Sequence, residues 1–130
     1  MYGTRKIHRG EIYYCELGVG WGSEQAHCRP VVICQCESGN RYSGTTIIVP
    51  LSSSKKKKAL PTHVHLAANG SLEHDSVILC EQIRVVDRSR LREFVSSLGR
   101  AKMSEVDAAI SIGLGLTAAK SQKEKQYEAY

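Results

Sequence analysis

An arginine directly before a proline, closing a glycine-rich stretch, is the pairing in this sequence best suited to handling phosphate: Gly22-Ser23-Glu24-Gln25-Ala26-His27-Cys28-Arg29-Pro30. Proline biases the residue before it toward extended backbone. Arg29 is thereby fixed where a loop enters a strand, and its planar guanidinium can be aimed at phosphate oxygens. Ser23, Glu24 and Gln25 place a hydroxyl, a carboxylate and an amide on the same loop, the kind of segment that commonly carries binding groups. An arginine in a surface ion pair is the plainer reading of the same residues. A second group, Leu51-Ser52-Ser53-Ser54 followed by Lys55, Lys56, Lys57 and Lys58, sets hydroxyl donors beside concentrated positive charge. Hydroxyls give directional hydrogen bonds to phosphate oxygens and ammonium groups give attraction; a flexible polar hairpin would have the same composition.

Two further constellations offer other chemistry. Cys34-x-Cys36 and His63-x-His65 have the spacing that puts both members of a pair on one face of a strand, so the two pairs could in principle hold zinc. Structural zinc usually takes its ligands at C-x₂₋₄-C spacing in tight turns, and buried thiols with hydrogen-bonded histidines are the expectation instead. A Ser/His/acid or Cys/His hydrolase is possible in composition but lacks a G-x-S-x-G elbow. Finally, the segment Asp75-Ser76-Val77-Ile78-Leu79-Cys80-Glu81-Gln82-Ile83-Arg84 turns abruptly polar at Glu81 and Gln82, which either read base edges or end a strand.

Strands must position these groups. Residues 11–17 alternate Tyr13, Cys15 and Leu17 against Ile12, Tyr14 and Glu16, the period of a half-buried strand. Gly18, Gly20 and Gly22 then predict a long mobile loop reaching Pro30. Strand-like runs follow over residues 31–36, 45–51, 62–66 and 76–86, with the punctuation of a small barrel. Residues 87–90 read as a capped helical turn and residues 91–98 as a short edge strand. From about Arg100, Met103, Val106, Ile110 and Leu114 recur at helical spacing, so a C-terminal amphipathic helix should pack on the barrel.

The chain has 130 residues and a formal charge of +5. That length suits one domain and excludes a multidomain enzyme. No apolar run is long enough to cross a bilayer, and residues 1–10 are polar with no leader pattern, so a cytoplasmic location without membrane contact is expected. Five cysteines, an odd number, argue for reduced thiols, with Cys15, Cys34, Cys36 and Cys80 acting as small hydrophobes in apolar segments. Residues 1–70 carry nine bases and four acids, residues 71–130 nine of each, so the first half is the candidate for a polyanionic partner.

Taken in order, Arg9-Gly10-Glu11-Ile12-Tyr13-Tyr14, Gly22-Ser23-Glu24-Gln25 with Arg29-Pro30-Val31-Val32, Leu60-Pro61-Thr62-His63-Val64, and Asp75-Ser76-Val77-Ile78-Leu79 with Glu81-Gln82-Ile83-Arg84 closely resemble the MazF/PemK toxin family. Met103, Glu105-Val106-Asp107 and Leu114-Gly115-Leu116 extend the likeness to about residues 8–116. The resemblance implies a mainly β protein, an SH3-like small barrel with a C-terminal helix, related also to the CcdB fold. It implies a toxin domain over residues 9–116, preceded by an extension over residues 1–8 and followed by a frayed tail over residues 117–130.

The resemblance further implies a homodimeric, metal-independent endoribonuclease without cofactor. Such a toxin cuts single-stranded RNA at short sequences and is blocked by a cognate MazE-type antitoxin whose disordered tail wraps the dimer. The family's essential arginine is matched by Arg29 and its second essential residue, usually threonine, by Ser52. RNA contacts are expected from Ser23, Glu24, Gln25, Lys55, Lys56, Glu81 and Gln82. His27 and Cys28 stand where relatives often carry small residues, and Ser52 keeps a hydroxyl while losing the methyl that restricts its rotamer. A non-catalytic RNA module, or a topoisomerase poison like the CcdB toxins, is the competing reading. RNA modules without catalysis normally stack bases on several exposed aromatics, and one Trp, one Phe and six Tyr, several in strand cores, offer little for that.

Overall fold

The computed structural model describes residues 6–53 and 59–118. Seven strands, two helices and two 3₁₀ turns follow one another as β1 (Glu11–Glu16), β2 (Cys28–Ile33), α1 (Glu37–Tyr42), β3 (Thr45–Ser52), β4 (His63–Leu66), β5 (Ser76–Leu79), a turn over Cys80–Gln82, β6 (Arg84–Asp87), a turn over Arg88–Arg90, β7 (Leu91–Ser97) and α2 (Arg100–Gly113). All pairings are antiparallel, in the order β4-β5-β3-β2-β1-β7, with β6 also on β3. β3 is the pivot. It pairs with β6 over Thr45–Ile48 and with β5 at Leu51 and Ser52, so the sheet divides there and curls.

Strand alternation feeds two cores, one on each face. Ile12, Val32, Val49, Leu51, Val64 and Ile78 meet Met103, Val106 and Ala109 of α2, while Tyr13, Cys15, Leu17, Val31, Ile33 and Ile48 pack on Ile7, Val86 and Leu91. The first strand is therefore buried on both faces rather than one, and Val31-Val32-Ile33 has no exposed surface at all. α2 is fastened to the start of β1 by Arg9, whose guanidinium donates to both carboxylate oxygens of Asp107 and to the Cys34 carbonyl.

Other sequence expectations about the elements need correction too. Residues 76–86 are two strands, because the chain folds into a 3₁₀ turn at Cys80–Gln82. The punctuation after Cys36 holds α1, built around Asn40, whose amide bonds the Gln35 carbonyl and side chain and the Thr46 hydroxyl. The loop after β1 ends at Cys28, since residues 28–30 already pair with β1. Leu114 lies beyond the last residue of α2 and is exposed. The turn at 87–90 is capped as expected, the Asp87 carboxylate accepting from the Ser89 N–H. The edge strand and the C-terminal helix also form where the sequence places them. No helix among the described residues is long and apolar enough to cross a membrane.

Candidate nucleic-acid interface

The loop between β1 and β2 is tied at its neck, at its tip and from outside. At the neck the Leu17 N–H donates to the His27 carbonyl at 2.9 Å and the His27 N–H to the Gly18 carbonyl at 2.7 Å. His27 sits there at φ 61, a left-handed conformation uncommon outside glycine. At the tip the Glu24 N–H donates to the Trp21 carbonyl at 3.0 Å while Glu24 Oε1 accepts from the Trp21 N–H at 2.8 Å. From outside, the Gln82 side chain accepts from the Gln25 N–H at 2.8 Å and donates to the Ser23 carbonyl at 2.9 Å. A Cβ on Gly20 would stand 2.8 Å from the Glu24 carbonyl oxygen, so only glycine allows the two limbs of the loop to close this tightly. The expected mobile loop is a hydrogen-bonded turn.

Arg29 lies in β2 opposite Cys15 and is half-buried, its Nε 3.4 Å from the Ala26 carbonyl. Two more guanidiniums close on the neck, one from β6 and one from the turn that follows it: Arg84 Nη1 donates to the Leu17 carbonyl at 3.3 Å and Arg90 Nη1 to the Glu16 carbonyl at 3.1 Å. Glu16 is the acid among them, and its carboxylate accepts from the Gly18 N–H. Burial pushes the Cys15 thiol up to about 11 although Arg84 and Arg90 pull the other way. The sequence assigns no role to Arg84, which closes the Glu81-Gln82-Ile83-Arg84 motif, or to Arg90. Counting charge by halves averaged them against acids elsewhere, although Arg84 stands only two residues past Gln82.

Ser52 ends β3. The β2–β3 pairing ends at Val31 opposite Pro50, two residues short of Arg29 on one strand and of Ser52 on the other. Ser52 pairs with Val77 and is only 4% exposed. The strand end expected to offer a hydroxyl donor beside the lysines is thus buried where β3 pairs with β5.

Glu81 turns inward. Its carboxylate accepts from the Thr62 hydroxyl at 2.8 Å and bonds His63 Nε2 at 3.0 Å, joining the start of β4 to the turn that carries Gln82. Burial raises its pKa, but the bond to His63, one to its own backbone and the bond from Thr62 together outweigh that and hold it below its ordinary value. The structure thus unites Ser23, Glu24, Gln25 and Gln82 in one loop assembly above Arg29, and spends Glu81 on β4. Lys55 and Lys56 lie outside the described residues.

The cysteine and histidine pairs take different surroundings. Burial pushes the Cys34 thiol up to about 12, whereas Cys36 is exposed, contrary to expectation, and the Ser38 hydroxyl lowers its pKa. Among the described residues no three His, Cys, Asp or Glu are grouped to hold a metal. A cavity of about 820 Å³ lies beside α1, lined in part by Lys6, His8, Arg41, Tyr42 and Arg88, and takes in none of the residues named from the sequence.

A curled antiparallel sheet backed by a C-terminal helix, with an arginine under a clamped loop, is the architecture of a small toxin barrel. The chain belongs to the PemK-like, MazF-like toxins of type II toxin–antitoxin systems, matching that family over residues 8–114. It is a homologue of the endoribonuclease MazF of Staphylococcus epidermidis, 46% identical over 111 residues that cover 85% of this chain and 92% of the relative. MazF from Deinococcus radiodurans superposes with a TM-score of 0.73 at 24% identity, over 85% of this chain and 98% of that one. A mycobacterial endoribonuclease in complex with its cognate antitoxin gives 0.70 at 22%, over 85% and 97%. These two likenesses concern the fold.

Proposed function

We propose that this protein is a sequence-specific, ribosome-independent endoribonuclease toxin that cuts single-stranded RNA and works as a homodimer held in check by a cognate MazE-type antitoxin. The observation that carries the reading is the half-buried Arg29 beneath the clamped loop, with Arg84 and Arg90 at the same neck. RNA brings its own nucleophile. The 2′-oxygen bonds to phosphorus, the bond from phosphorus to the 5′-oxygen breaks, and the proton lost by the first oxygen is balanced by one gained by the second. The products are a 2′,3′-cyclic phosphate and a 5′-hydroxyl. The enzyme has only to align these atoms and stabilise the charge that develops on the phosphate.

Arg29 supplies that charge through a planar guanidinium that carries donors and no acceptor, which suits it to electrostatic work on phosphate oxygens. Ser52 is the candidate second group, holding a nonbridging oxygen through its hydroxyl. The homology to endoribonuclease MazF supports the substrate class, and the antitoxin complex of the mycobacterial relative supports the partner. The test is to incubate the pure protein with mixed-sequence RNA in excess EDTA and map the new ends. Cleavage at a short consensus leaving 5′-hydroxyls is expected. Intact RNA, or cleavage that EDTA abolishes and zinc or magnesium restores, refutes the reading.

A further inference from the structure

Trp21 is the sole tryptophan of the chain and is 85% exposed. A ring of that size ordinarily gains most by burial, so one left in water at a loop tip calls for a reason. Collapse onto the barrel is prevented by the backbone. Trp21 exchanges two hydrogen bonds with Glu24 and is flanked by Gly20 and Gly22. Gly20 packs against the 24–26 limb, with the Ala26 side chain 3.2 Å from where its Cβ would stand, and the Ala26 carbonyl faces Arg29 Nε. A short chain of contacts therefore links the indole's backbone to the guanidinium, and the Gln82 clamp holds the whole loop to the barrel.

We propose that Trp21 is the platform on which one base beside the cut phosphodiester stacks, an inference that rests on the endoribonuclease reading above. Single-stranded RNA is held by combining cationic groups along its backbone with aromatic faces under its bases, and this loop carries one exposed aromatic at its tip and guanidiniums at its neck. Val19 is the other apolar side chain exposed on the loop, and Gly20 separates the two. Two side chains on a loop whose other exposed side chains are Ser23, Glu24 and His27 lack the broad apolar area that a protein partner requires. One ring suits one base.

The experiment uses the indole as its own reporter. The full-length protein is titrated with a mixed-sequence 2′-O-methyl oligonucleotide, which lacks the nucleophile and cannot be cut, and with an abasic phosphodiester strand of equal length. Quenching of Trp21 fluorescence by the first and not the second is expected. By anisotropy, Trp21→Ala should bind the oligonucleotide about tenfold more weakly with an unchanged melting temperature, and Trp21→Phe should recover most of the loss. Undiminished fluorescence at saturation, equal quenching by the abasic strand, or equal affinity of Trp21→Ala would overturn the inference. Quenching by a protein partner alone would do the same. Cleavage of natural RNA by the unaltered protein separates the two failures. If it cuts while Trp21→Ala binds as well as the parent, only the stacking role falls, and if it neither cuts nor binds, the endoribonuclease reading falls with it.

Discussion

Arg29 is placed to act rather than to hold the fold: among the described residues its side chain makes one long hydrogen bond, to Ala26, and it leaves part of its surface in water. Arg29→Ala should consequently melt close to the parent while cleavage falls about 10²-fold, the scale of removing one preorganised donor from a developing oxyanion. Arg29→Lys should not restore it, since a point charge lacks the planar fork that meets two phosphate oxygens. Equal cutting by Arg29→Ala would move the chemistry to another group. Ser52 is a different case because it is buried. Ser52→Ala removes a hydroxyl from a packed strand end and should cost about 1 kcal/mol of stability. If that hydroxyl also reaches the phosphate, turnover at saturating RNA should drop at least about tenfold. A lowered melting temperature with unchanged turnover would make Ser52 a packing residue.

At the scale of elements, the loop is held by groups far away in sequence. Gln82 reaches Gln25 and Ser23 across 57 and 59 residues, and its own turn is anchored by Glu81 to Thr62 and His63. That anchor carries a pH signature. Glu81 titrates below its ordinary value in the fold, so its contribution is present above the normal carboxylate range and is lost as the pH falls through the lowered value. Glu81→Gln should melt below the parent at neutral pH, and the two curves should converge in acid. Parallel curves down to acid pH would mean that the carboxylate contributes nothing. The same distances explain what the sequence could disclose. Strand identity was legible because apolar alternation is local, and Arg29 because Pro30 adjoins it. The break between β5 and β6 was not, since Cys80–Gln82 is turned by bonds to residues 18 and 19 positions earlier. Nor was α1, which rests on the polar network of Asn40, 2% exposed, and has no hydrophobic period to read.

For the whole molecule, the question is whether RNA responds to net charge or to where the charge stands. The formal +5 is shared with bases remote from the loop, among them Arg41 on α1 beside Tyr42. Arg84 and Arg90, by contrast, converge on the neck beside Arg29 although they belong to the half of the chain whose charges balance. Counterion release counts phosphates actually contacted: for a single strand, each contact contributes roughly 0.7 to the slope of log affinity against log salt. Arg84→Ala and Arg90→Ala should each make that slope shallower by about this amount and weaken binding, whereas Arg41→Ala removes the same charge and should leave the slope unchanged. The measurement is anisotropy with an uncleavable oligonucleotide across a range of salt. Because each arginine also bonds a neck carbonyl, melting and circular dichroism must first match the parent. Equal flattening by all three variants would assign the attraction to diffuse charge, and the arginines at the neck would then be structural braces for the loop.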